Sequence, residues 1–192
     1  MDALQLYGQL SLASLEEFGS FFTAFRHTAF RLELLDLYSV PEEESVLKQF
    51  LSGSTKPPDD FNKDWIKILS AATSAGKKFE RVRLVREPIH DYLKFEVAWG
   101  YAKNIEAGEG VSVIHYGQMP YFKTVVPIFN DFWLFDDSHC YLMEYDFLGH
   151  FLGVRKLPSQ HVDQYVDLKK EALSKAVDIK LSSLWCYASD FK

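Results

Sequence analysis

The chain has little of what marks a disulfide scaffold or a metal-cluster protein. Among 192 residues only Cys140 and Cys186 carry thiols, and they share no metal-ligand spacing, a usage that points to a reducing compartment. No apolar run approaches the ~20 residues that a membrane-spanning helix needs. The opening MDALQLYGQLSLASLEEF places Asp2 where a secretory leader would carry Lys or Arg, and Glu16-Glu17 follow too soon for one. A soluble, cytoplasmic protein that does not engage a membrane is expected. Positive charge is not in excess either. Lys and Arg number 21 against 27 Asp and Glu, a net charge of -6, so no whole-molecule field draws nucleic acid and no direct nucleic-acid contact is expected.

Familiar catalytic signatures are missing as well. Gly108-Glu109-Gly110 is too short for a dinucleotide fingerprint and follows a helical pattern instead of opening one. No Ser sits in a Gly-x-Ser-x-Gly elbow, and no paired His motif, Cys cluster, internal repeat or low-complexity tract occurs. No cofactor or metal is expected.

What the chain does have is aromatic and aliphatic bulk: 47% hydrophobic and 16% aromatic residues, enough for a core and too much for disorder. The length suits one compact domain, read here as an N-terminal helical segment (1–60) packed on an α/β core with a C-terminal helix (61–192).

Phe129 to Lys156 is the stretch the chain is organised around. Phe132 to Phe135 is an apolar run ended by Asp136-Asp137-Ser138, Cys140 to Tyr145 is the return, and Asp146 to Gly149 is a second turn before His150 to Arg155. That pattern predicts three antiparallel strands. Both faces of the first are apolar, so Trp133 is expected in a central, doubly covered strand. Upstream, Leu6, Leu10, Leu15, Phe18, Phe22 and Phe25 predict one or two amphipathic helices within 3–30. Phe30 to Tyr38 fits strand or helix, and Arg31 and Glu33 share a face only in a strand. Pro41 opens a helix that ends at Gly53, and Asn62 to Ala75 is a second. Phe79 to Val85, a helix from about His90 to Ala107, and Val111 to Tyr116 read as a βαβ crossover, hence a parallel pair. Ser159 to about Trp185 reads as a closing helix. The fold class is α/β with a mixed sheet: a βαβ unit extended by antiparallel hairpins, with helices on both faces.

Arg31-Leu32-Glu33, Arg81 to Pro88, Asp91 to Glu96, Asn104 with Ala107-Gly108-Glu109, and Phe132 to Asp137 together resemble an actinobacterial family known only as a domain of unknown function. The resemblance covers about residues 25 to 180. It supplies no catalytic residue. Members of that family are often encoded near small helix-turn-helix regulators, which implies a protein partner of that kind. The order of elements also resembles one half of the phospholipase D-like fold. Active members of that superfamily carry His-x-Lys with an Asp further on. None of the six histidines here has Lys two residues later: His115 is followed by Tyr116-Gly117 and His139 by Cys140-Tyr141. The resemblance therefore implies the fold without the phosphoryl-transfer nucleophile.

Candidate ligand-binding residues are Arg31, Glu33, Arg81, Arg83, Arg86, Trp133, Asp136 and Asp137. Asp136, Asp137 and His139 could bind a cation or do acid–base work, but Asp-Asp-Ser-His at a hairpin tip is ordinary turn chemistry, and that reading is preferred. Arg81, Arg83 and Arg86, with Arg31 near them, could grip a phosphate or carboxylate. Ion pairing with Glu80, Glu87 and Glu33 on a solvated face is the preferred account. Tyr92, Trp99, Trp133 and Tyr145 could line a pocket or interface, with core membership preferred. The expected function is a non-enzymatic binding or regulatory module that recognises a protein partner. The alternative is an enzyme or sensor for a small anionic, phosphorylated ligand, acting through the arginine strand and the acidic turn.

Overall fold

The computed structural model describes residues 6–8, 10–118 and 130–189. Phe129 and residues 3–5 and 9 of the expected N-terminal helices lie outside the described residues. Strand β1 (Ser11–Ala13) leads into α1 (Leu15–Ala24), whose N-cap Ser14 accepts the Glu17 N–H at 3.0 Å. β2 (Thr28–Glu33) follows, then a 3₁₀ turn (Pro41–Glu43) running into α2 (Glu44–Leu51), and α3 (Lys63–Ser74). β3 (Lys78–Val85) is joined to β4 (Gly110–His115) by a helix in three parts: α4 (Asp91–Phe95), a π-helical stretch (Glu96–Tyr101) and α5 (Ala102–Glu106). β5 (Phe132–Phe135), β6 (His139–Tyr145) and β7 (Phe151–Lys156) are the three antiparallel strands. α6 (Val162–Lys175), the two-residue β8 (Val177–Asp178) and α7 (Cys186–Ser189) close the chain.

These strands form one eight-stranded sheet in the order β1-β7-β6-β5-β2-β3-β4-β8. β2, β3 and β4 run parallel, and β5, β6 and β7 extend the sheet antiparallel from β2. This is the expected mixed sheet. Alternation assigns side chains to faces. Phe30, Leu32, Phe132, Leu134, Cys140 and Leu142 meet α6 residues such as Tyr165 and Leu168. Ala29, Phe79, Trp133, Phe135 and Tyr141 meet Phe18 of α1 and Leu69 of α3. Trp133 is 4% exposed in a central strand, as expected.

Three expectations need correction. Residues 3–30 are not simply helical. Leu12 lies in an edge strand paired with β7, and Thr28 to Phe30 already belong to a core strand. The residues from Ala29 to Glu33 alternate with period two, and the helix-spaced phenylalanines before them masked the change. The closing helix stops at Lys175, because Ala176 turns extended and Val177-Asp178 add an edge to β4. The arginines of β3 do not occupy a solvated face: Arg81 and Arg83 are buried. Among the described residues no helix is long and apolar enough to cross a membrane. Both cysteines are free.

Candidate functional site

The face of the sheet that carries Trp133 changes character toward the carboxyl ends of β2 and β3. Strand register lines Trp133, Arg31, Arg81 and Val111 across four strands, with Glu33 and Arg83 side by side one step further along. Arg31 and Arg81 therefore face each other across the parallel pair. Glu33 lies between them and takes Arg31 Nε at 2.7 Å, Arg81 Nη1, and the Tyr101 hydroxyl at 2.8 Å. Arg81 Nε also donates to Glu109 at 2.9 Å, and Glu109 in turn accepts Asn104 Nδ2 at 2.7 Å. Arg83 is wholly buried, 3.2 Å from Glu96 and 3.6 Å from Glu33, with its guanidinium over the Tyr38 ring. Asp131, just before β5, accepts the Leu34 N–H at 2.9 Å and the Tyr38 hydroxyl, and lies 3.9 Å from Arg31.

The π-helical stretch makes part of this possible. Residues five apart in such a turn come onto one side, so Glu96 reaches Arg83 while Tyr101 reaches Glu33. Burial of so many charges sorts them by partner. Burial alone would raise Glu33, yet Arg81, Arg31 and Arg83 hold its carboxyl down at about 2. Burial wins at Glu96, pushed up to about 8 against the pull of Arg83, and at Asp131, pushed up to about 6 against Arg31. Burial also raises Glu43, against a hydrogen bond from the Tyr92 hydroxyl at 2.7 Å. Burial opposes the charge on the three guanidiniums, and their neighbours restore it and hold them above the ordinary range: Tyr145 and Glu33 for Arg31, Glu109 for Arg81, Glu96 for Arg83.

Over this cluster lies a cavity of ≈ 730 Å³, walled by aromatic residues including Phe22, Trp65, Tyr92, Trp133, Tyr145 and Phe151, with Arg31, Glu33, Arg81, Glu43 and Glu96 at its base. Its size falls in the range of small-molecule sites, and a mainly apolar wall with a few convergent polar groups is their usual make-up. One wall is a seam between the chain after β2 and the β6–β7 turn. Ser39 N–H donates to the Gly149 carbonyl at 2.9 Å and its hydroxyl to Leu148 O at 2.8 Å. Gly149 has φ +81, and a Cβ there would meet Leu37 O at 2.6 Å, so only glycine allows this approach.

A family model described as "Domain of unknown function (DUF6879)" matches residues 16–181. The chain belongs to that family. No curated protein matches it. Solved structures with a similar layout include a phospholipase D family member, Nuc, from Salmonella typhimurium, at 10% identity, covering 83% of this chain and 86% of that one with a TM-score of 0.49. Another is NucT from Helicobacter pylori, at 10% identity, covering 88% and 96% with a TM-score of 0.44.

In this family member the sequence candidates fall into separate places. Arg31, Glu33, Arg81 and Trp133 meet at the cavity, and Arg83 lies within the same charge cluster. Arg86 points elsewhere, donating to Leu34 O at 2.6 Å and pairing with Asp36 at 3.1 Å. The acidic turn is at the other end of these strands, three to five residues of β2 or ~10–16 Å away along the strand. There Asp136 accepts the N–H groups of Arg26, His27 and Thr28 at 2.7–3.0 Å, and Asp137 pairs with Lys169 at 2.8 Å. Both aspartates have φ 51, as a tight hairpin turn requires. Arginine strand and acidic turn are thus not one site. Among the described residues no group of three or more His, Cys, Asp or Glu is arranged to hold a metal ion.

Reading the sequence missed Tyr38, Glu43, Glu96, Tyr101, Glu109 and Asp131. Glu96, Asn104 and Glu109 stood inside the stretches that carried the family resemblance, which was the available signal. Asp131 precedes an apolar run and read as the edge of a turn.

Proposed function

We propose that the chain is a non-enzymatic binding module that serves regulation by recognising a protein partner, with the cavity as the centre of the recognition surface. The observation that carries this reading is that apolar side chains at the cavity and in the adjoining β6–β7 turn stay exposed. Leu15 and Phe151 line the cavity and are 61% and 41% exposed, and Phe147 in the turn and Leu152 next to Phe151 are 94% and 63% exposed. Exposed apolar residues gathered at the mouth of a pocket are what an interface needs and what a lone enzyme surface avoids. The hydroxyl that Ser39 brings to the cavity wall is engaged elsewhere: it donates to Leu148 O. Cys140 is fully buried, with burial pushing its thiol up, and Ser138 and His139, 2.9 Å apart, sit on the exposed hairpin tip outside the cavity.

The partner favoured is a small helix-turn-helix regulator, on the gene neighbourhood attributed to the family. Co-expression of such a neighbour with the chain, followed by affinity capture, tests this. The parent chain is expected to retain the regulator, and a Phe147→Ser/Leu152→Ser variant to lose it while keeping the parent's melting temperature. Recovery of the parent as a lone monomer under several conditions overturns the reading.

A second reading, a small-ligand sensor or enzyme, draws on Arg31 and Arg81 at the base of the cavity. A thermal-shift screen over nucleotides, sugar phosphates and amines separates the two, since a ligand at 100 times its Kd stabilises the fold by ~2.7 kcal/mol.

A further inference from the structure

We propose that the cavity takes an organic cation, an amine carried on an apolar body, and that its entry displaces a proton from the carboxyl groups at the cavity base; this rests on the cavity being a ligand site. Around Arg31, Arg81 and Arg83 stand Glu33, Glu109, Asp131, Glu96 and, bonded to Tyr92, Glu43. However the pairs are drawn, five carboxyls surround three guanidiniums. The two that line the cavity, Arg31 and Arg81, already donate to Glu33, Glu109 and Tyr145, while Arg83 is wholly buried, makes no hydrogen bond among the described residues and is not part of the lining. An anion would enter a site where carboxyls outnumber guanidiniums and the two guanidiniums in the lining are already committed. An ammonium would meet Glu43 and Glu96, both of which line the cavity, with Trp65 and Phe22 among the walls; Glu96 lies 3.2 Å from Arg83 but its Oε2 accepts no hydrogen bond among the described residues. Aromatic faces also favour a cation that has shed its water.

Carboxyl protonation offsets the excess. Glu96 is faced by Arg83 and Arg81 of β3, Glu33 of β2, Glu43 of the 3₁₀ turn, and Tyr92 and Tyr101 of its own helix. Burial among these groups pushes it up to about 8. When a protonated amine arrives, the Glu96 O–H bond breaks, its proton passes to solvent, and the carboxylate formed pairs with the ammonium. Charge in the cavity is the same before and after, and one proton is released for each amine bound.

Three probes of matched shape test this on the full chain: phenethylamine, phenethyl alcohol and phenylacetate. They are followed by calorimetry in two buffers of different ionisation heat and by the indole resonances of Trp65 and Trp133. The amine is expected to bind about tenfold or more tightly than the alcohol, because a charge-assisted hydrogen bond is added. Phenylacetate should be weakest, and close to one proton should be released per amine at about pH 7. Glu96→Gln, which keeps the shape of a neutral carboxyl, should abolish the proton release and bring the amine to within about twofold of the alcohol. A merely structural Glu96 would leave the proton count unchanged. Should that variant not fold, Glu43→Gln is expected to weaken the amine and spare the alcohol. Alcohol or phenylacetate binding as tightly as the amine, or amine binding without proton release, overturns the inference and leaves the cavity a ligand site. Absence of any response to all three probes up to saturation overturns both.

Discussion

Arg31 and Arg81 stand directly opposite each other on neighbouring parallel strands, and one oxygen of Glu33 accepts a hydrogen bond from both. Like charges in cross-strand register repel, so the strand pairing at this point depends on the carboxylate between them. Glu33→Gln leaves two buried guanidiniums with a neutral neighbour. Breaking a buried pair from one side costs ~3–5 kcal/mol, and urea unfolding should show that loss with an unchanged slope.

Glu96 ties stability to pH in a direction opposite to most acidic groups. Its carboxyl is raised from 4.5 to about 8, so between those values the folded chain holds a proton that the unfolded chain has released. Stability therefore falls as pH rises through that window and levels off above it. Glu96→Gln lacks this dependence. Melting temperatures measured in parallel should show the variant gaining on the parent from about pH 5 to pH 8, then a constant difference. A gap of the same size at every pH would count against a protonated Glu96.

The acidic turn should respond unequally at its two positions. Asp136 accepts three backbone N–H groups at the start of β2, and these donors together hold its carboxyl below the ordinary range although burial pushes the other way. Asp136→Ala orphans those donors and should cost ~1–3 kcal/mol. Asp137→Asn keeps both the turn preference and an acceptor for Lys169, and should melt within a few degrees of the parent. EDTA should move neither. A magnesium- or calcium-induced stabilisation that vanishes in Asp137→Asn would place a cation at this turn instead.

Trp133 joins the core to the site. It packs against Phe22, Trp65 and Phe79 and lies under the Arg31 guanidinium, 5.3 Å from the ring centroid. Trp133→Ala should cost ~3–5 kcal/mol by cavity formation, and Trp133→Phe less. Both should alter any ligand response of the cavity, since this side chain forms part of its wall.

The hairpins, the βαβ crossover and the placement of Trp133 were legible because turn residues and alternation act over a few positions. Arg31 and Glu33 could be seen as one face once a strand was assumed. What could not be read is the company they keep. Glu109, Glu96 and Asp131 come from separate segments and are brought to Arg81, Arg83 and Arg31 by strand register together with the packing of the crossover helix. A charge in sequence carries no mark of burial, so the surface reading of Arg81 and Arg83 followed from what is usual for arginine. The widened turn at Glu96–Tyr101 leaves no signal either, since Tyr92, Phe95 and Trp99 fit an ordinary helix up to that point.

That widened turn accommodates one residue more than a regular helix would need over the same rise. A chain shortened by a single residue within Glu96–Tyr101 could close into continuous α-helix while the sheet beneath kept its place. Deleting Gly100 should leave a folded protein in which the turns before and after the deletion are rotated relative to each other, so that Glu96 and Tyr101 no longer reach Arg83 and Glu33 together. Among relatives, presence or absence of this one position would sort chains that keep the acidic base of the cavity from chains that keep only the scaffold.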